Sequence, residues 1–162
     1  MEGVRFVQVD DERTTADWRA IHNEIIATDA LSLDEVRDRS GRHRLEVAYV
    51  DGDPAGNSTV RRPTDGEGAM VIARVLPPYR RRGLGTLLFE RGLEVARAWA
   101  DDRPVETVVL ASNEGGLAFA LARGFVETER YTLPGAVIPY VALTLATPDP
   151  GGGQPATRRP GT

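Results

Sequence analysis

The run Arg80-Arg81-Arg82-Gly83-Leu84-Gly85 carries the most specific chemistry in this sequence. A β-rich stretch, Met70 to Leu76, leads into it through Pro77-Pro78, and an amphipathic helical pattern from Leu84 to Ala100 leaves it. A strand that feeds a glycine-bearing loop at a helix N-terminus is a physical recipe for holding phosphate. First-turn amides are orphan donors, the helix dipole favours anions there, and glycine lets the backbone approach closely. Arginine adds forked donors that match phosphate oxygens. The loop lacks the Gly-Lys-Ser/Thr ending of a Walker A sequence, and Leu88 stands where a dinucleotide G-x-G-x-x-G needs its third glycine.

Further along come Ser112-Asn113, then Phe119, then Gly124-Phe125 at the opening of a strand. Together, and in this order, the two segments resemble the R/Q-x-x-G-x-G/A and N-x-x-A-x-x-F-Y-x-x-x-G-F motifs of the GNAT superfamily, the Gcn5-related N-acetyltransferases. Arg80, Gly83 and Gly85 fall on the first motif's positions. The resemblance covers about residues 4 to 145, the N-terminal third in layout more than in motif.

The resemblance implies an acetyl-CoA site. Main-chain amides of Arg81, Arg82, Gly83, Leu84, Gly85 and Thr86 would bind the pyrophosphate, with Arg80 and Arg82 supporting the loop or the adenosine-side phosphates. Backbone groups of Val75 and Leu76 would pair with the pantetheine arm, and the N–H of one of them would polarise the thioester carbonyl. A bulge there would splay the central strand from its neighbour. Asn113 is placed to hydrogen-bond the pantetheine, to cap the following helix, or both. Phe119 and Tyr79 read as packing residues.

The catalytic positions depart from the family. Ala120 stands where many members carry a tyrosine acid, and Ala69 where histone-type members carry a glutamate. Tyr131 is the candidate replacement acid, and Glu67, two residues before Ala69, the candidate base acting through a water. Glu24, Asp29 and His22 border the usual acceptor region. Arg74 is a charge inside a strand expected to be buried, so it needs a counter-charge. Two sources present themselves: a carboxylate of the protein, or the carboxylate of an acidic acceptor.

The elements that would position these groups follow from periodicity. Trp18, Ile21, His22 and Ile25 share one helical face, and Ser32 with Glu35 forms a capping box. Strands are expected over 4–9, 45–49, 55–62, 70–76, 105–111, 125–133 and 137–145, with helices over 15–27, from 32 to near Gly41, 84–100 and 117–123. The fold class expected is α/β (α+β), with a mixed, splayed central sheet of about seven strands and helices on both faces. Residues 1–146 form the domain, and 147–162, Pro/Gly-rich and almost without apolar side chains, form a disordered tail.

Composition narrows the function further. The chain has no cysteine, so disulfides and thiolate ligands or nucleophiles are excluded, and two histidines are too few for a convincing metal cluster. No apolar run reaches membrane-spanning length and the N-terminus lacks a signal peptide's apolar core, which points to a cytoplasmic protein with no membrane partner. A net charge of −4 argues against a nucleic-acid binder. All twenty basic residues are arginine, so no lysine is present to be acetylated. The expected activity is acetyl transfer from acetyl-CoA to a primary amine of a small molecule or peptide, by direct attack in a ternary complex. The main rival is a non-catalytic acyl-CoA-binding or sensing module; a polyanion-binding protein that uses the Arg triplet and tail is a weaker one. Family members often form homodimers.

Overall fold

The computed structural model describes residues 2–146; the expected tail lies outside the described residues. The chain runs β1 (Val4–Gln8), α1 (Glu12–Ile25), α2 (Leu33–Arg42), β2 (Arg44–Val50), β3 (Asp53–Arg61), β4 (Ala69–Val75), α3 (Leu84–Ala100), β5 (Val105–Leu110), α4 (Glu114–Ala122), β6 (Phe125–Tyr131) and β7 (Tyr140–Leu145), with short 3-10 turns at Ala27–Asp29 and Pro77–Tyr79. The strands form one seven-stranded sheet in the order β1-β2-β3-β4-β5-β7-β6. All neighbours are antiparallel except β4 and β5, which are parallel.

Alternation along the strands divides the core into two layers. Leu45, Val47 and Tyr49 of β2 pack with Trp18, Ile21 and Val36 on the α1/α2 face. Val60, Ala69 and Val71 pack with Phe89, Leu93 and Ala96 on the α3 face, together with Phe125, Val141 and Leu143 from the far strands. Helix α1 starts earlier than its apolar period suggests because Asp11 and Thr14 form a capping box, Asp11 Oδ1 accepting from the Thr14 amide at 2.8 Å. Helix α4 likewise starts at Glu114, since Asn113 caps it. The Ser32–Glu35 box is present, and α2 runs through Gly41 to Arg42.

The β4–β5 ladder is the feature that positions the site. It consists of two register pairs, Ala69↔Val105 and Met70↔Glu106. At its root Gly68 lies so close to Pro104 that a Cβ would fall on the Pro104 carbonyl, and the Ala69 amide donates to that same oxygen at 3.1 Å. The next rung is replaced by a side chain, Thr107 Oγ1 donating to the Val71 carbonyl at 2.6 Å. Beyond it the strands separate and leave a slot that opens at their C-terminal ends. The expected bulge at Val75 is not what splays them, because the register of β4 with β3 is unbroken from Met70 to Val75. The sheet's register shifts fall instead between Ala48 and Tyr49 and between Glu127 and Glu129.

Candidate active site

Two features meet at the mouth of the slot. One is the N-terminus of α3. Gly83 is its N-cap, at φ +84°, and offers no side chain to the first turn. The amides of Leu84, Gly85 and Thr86 are therefore without side-chain partners at the positive end of a 17-residue helix. Arg81 also takes a left-handed conformation, at φ +67°, so the loop bends twice within three residues. The guanidinium-bearing residues Arg80, Arg81 and Arg82 are all exposed around it. Such a helix N-terminus can hold an anion.

The other is the free edge of β4. The Leu76 amide donates to Ala55 O at 2.8 Å, so it faces β3 and is already used. Antiparallel pairs alternate their hydrogen bonds, which turns the main-chain groups of Val75 and Ala73 away from β3 and into the slot. Of the two amides expected as carbonyl donors, Leu76 is thus excluded and Val75 remains. Ala73 joins it, a position that sequence reasoning missed because the parity of the bonding pattern depends on the β3 register. The Val75 carbonyl is not free: Arg80 folds back and donates from Nε at 2.8 Å, tying the loop to the strand end.

Across the slot, Asn113 stands just beyond β5. Its Oδ1 accepts from the Gly116 amide at 2.9 Å, so its capping role is realised and its NH2 group remains. Phe119 makes an edge-on contact with Phe89 at 5.3 Å, and Tyr79 lies under the Arg82 guanidinium at 5.8 Å. Both are packing residues. Ala120 is buried in the core, with no hydroxyl to offer.

The opposite face of the sheet carries a second group of residues. Tyr131 stacks on Tyr140, with centroids 5.7 Å apart. Burial, reinforced by Tyr140, raises the Tyr131 hydroxyl above the usual phenol range, so it keeps its proton at neutral pH. His22 lies in α1 against Trp18 and donates from Nε2 to Asp29 O at 3.0 Å. Burial holds its ring neutral, with the charge of Arg74 acting in the same direction. Glu24 and Asp29 are exposed. Glu67 is the candidate base. It sits in an exposed turn, paired with Thr64, behind the closed root of the β4–β5 ladder. Seven residues lie between it and Val75, at most about 26 Å along extended chain, and its charge acts on Arg61.

Comparison with known proteins gives this arrangement its class. The family model for the acetyltransferase (GNAT) family matches residues 8–125, and the chain belongs to that family. Solved structures share the fold at low identity. YncA of Salmonella typhimurium, solved with acetyl-CoA, is 17% identical, with a TM-score of 0.72 over 92% of this chain and 99% of that one. An N-acetyltransferase from Staphylococcus aureus Mu50 is 16% identical, with a TM-score of 0.71 over 88% and 97%. Arabidopsis thaliana Naa50, solved with the bisubstrate analogue CoA-Ac-MVNAL, is 16% identical, with a TM-score of 0.70 over 90% and 99%. A search of curated proteins gave no match. Among the described residues no cluster of three metal-ligating side chains occurs, and no helix is long and apolar enough to cross a membrane.

Proposed function

We propose that the protein is an N-acetyltransferase that binds acetyl-CoA across the β4–β5 slot and transfers the acetyl group directly to a primary amine. The observation that carries this reading is the two-rung parallel ladder, which opens beside a helix N-terminus without a side-chain cap. When bound, acetyl-CoA supplies an acetyl group activated as a thioester. The amides of Arg81 to Thr86 and the Arg80 and Arg82 guanidinium groups bind its phosphates, and the Asn113 NH2 group faces the pantetheine. The Val75 and Ala73 amides provide fixed donors along the slot, one of which polarises the thioester carbonyl; such preorganised donors are worth most where water is excluded. The amine approaches from the α1/α2 face, loses its proton to solvent, and displaces the CoA thiol. Tyr131 keeps a proton on that face for the departing sulfur. Holding the two reactants together supplies much of the acceleration.

Incubation with isotopically labelled acetyl-CoA and a pool of free amino acids, amines and peptides, read by mass spectrometry, tests the assignment. A labelled amine is the expected result. Acetyl-CoA binding with no labelled product from any amine would overturn it in favour of the sensing module, the reading that the alanines at positions 69 and 120 favour.

A further inference from the structure

Arginines in this protein are, as a rule, accounted for. Arg37, Arg42, Arg44, Arg91, Arg123 and Arg130 each pair with a carboxylate, and Glu46, almost fully buried, takes two of them. Others lie over aromatic rings or donate to main-chain carbonyls. Arg74, Arg61 and Arg39 are different. All three are partly buried, and among the described residues none has a carboxylate, carbonyl or ring partner.

They also converge. Arg74 projects from β4 on the α1/α2 face and Arg61 from β3 on the same face, four residues along from Asn57, while Arg39 belongs to α2 and its charge is felt at both. Arg61 and Arg39 act on Arg74 electrostatically, opposed by Tyr140 and the carboxylate of Asp29, while Glu67 acts in the same favourable sense on Arg61. Burial and these like charges push the Arg74 guanidinium down to about 10, still a cation at neutral pH. Beside it, directly opposite in register, Asn57 is fully buried and Nδ2 donates to Trp18 O at 3.1 Å, but its Oδ1 has no partner. His22 Nδ1, also buried and in a ring on which the charge of Arg74 acts, has none either. A cluster of like charges with unfilled polar atoms costs stability unless something completes it. Among the described residues no carboxylate pairs directly with Arg74.

Building on the acetyltransferase reading, we infer that Arg74, flanked by Arg61 and Arg39, binds a carboxylate of the acceptor, so that the amine acetylated belongs to a free amino acid or a similar amino-carboxylate. Arg74 lies one residue from each of the two slot-facing amides, Ala73 and Val75, on the opposite face of the strand. An acceptor anchored there presents a neighbouring amine to the slot from the side away from the cofactor loop. Asp29 lies on the same side to receive the ammonium form as it arrives. This arrangement selects against amines without an acidic group, because they would leave the arginine cluster uncompensated.

The test compares twenty free amino acids with their primary amides in the full-length protein. The rate of CoA release gives kcat/KM, and calorimetry in the presence of CoA gives the affinity of the N-acetylated amino acids and of their amides, a readout independent of turnover. The expected result is at least a hundredfold preference for one or more free acids over the matching amide in both readouts. Arg74→Met should abolish that preference and Arg61→Gln should reduce it several-fold, with acetyl-CoA affinity unchanged as the sign of an intact fold. Equal use or equal binding of acids and amides by the unmodified protein overturns the inference, whatever the variants do. If no amine is acetylated, the transferase reading fails, while selective, Arg74-dependent binding of N-acetylated acids over their amides still upholds the anion site. Binding of neither form counts against it.

Discussion

Thr107 and Val71 face each other at the point where the central sheet divides, the threonine hydroxyl donating to the valine carbonyl at 2.6 Å in place of a main-chain rung. Both residues are buried, so that carbonyl depends on this one donor. Thr107→Val keeps the shape and removes the hydroxyl, leaving a buried acceptor unsatisfied at a cost of about 1–3 kcal/mol. Urea denaturation should show that loss, with Thr107→Ser close to the parent. Acetyl-CoA affinity should fall in the valine variant, because the width of the slot is set here.

The loop at Arg81 separates stability from binding. A non-glycine residue at φ +67° carries a conformational cost, roughly 1–2 kcal/mol, that glycine does not. Glycine in turn adds freedom to the unfolded chain, so Arg81→Gly should change global stability by less than about 1 kcal/mol. Removing the guanidinium should weaken acetyl-CoA about fivefold, as expected for an exposed charge pair, and flatten the salt dependence of binding. Calorimetric titration at two ionic strengths reads both changes.

The histidines set an acid limb of stability. Burial lowers His22, and burial with the charges of Arg42, Arg61 and Arg39 lowers His43, so both are depressed in the folded protein. The unfolded chain then binds more protons than the folded one as pH falls below about 6.5, and stability rises with pH in that window. The stabilisation is complete above that value and is lost as pH drops through the folded values. Denaturation midpoints between pH 5 and 7.5 should show this slope. His22→Gln and His43→Gln should each reduce it, and the double variant should nearly abolish it.

Tyr131 is the remaining candidate acid now that Ala120 is seen buried in the core. Tyr131→Phe should lower kcat about tenfold, a modest general-acid effect because a thiolate leaves readily, with the acetyl-CoA dissociation constant unchanged. The alkaline limb of the pH–rate profile, set by loss of the raised tyrosine proton, should disappear. A variant with the parent's kcat and profile would remove Tyr131 from the mechanism.

Much of this was legible in the sequence. Helix α3 runs from Leu84 to Ala100 as its periodicity indicates, and the Arg-Gly loop stands at its N-terminus. The element order and the open seven-stranded sheet follow from alternating and helical runs of residues. What periodicity cannot report is where a ladder stops. The splay depends on the close approach of Gly68 to Pro104 and on the Thr107 hydroxyl, contacts between segments far apart in the chain. For the same reason Leu76 was expected in the slot but bonds to Ala55, and Ala73 was overlooked. The turn that pairs Glu67 with Thr64 is likewise visible only in the fold. Arg74 was conspicuous as a charge in an apolar strand, yet its kinship with Arg61 and Arg39 exists only once β3, β4 and α2 are packed.

The measurement that bears most directly on the site is an acetyl-CoA titration followed by backbone amide NMR. The amides of Ala73, Val75, Leu84, Gly85 and Thr86 should shift together and saturate at one equivalent, while Leu76, bonded to Ala55, should move little. Shifts confined to other surfaces, or none at saturating acetyl-CoA, would contradict the assignment of the β4–β5 slot as the cosubstrate site.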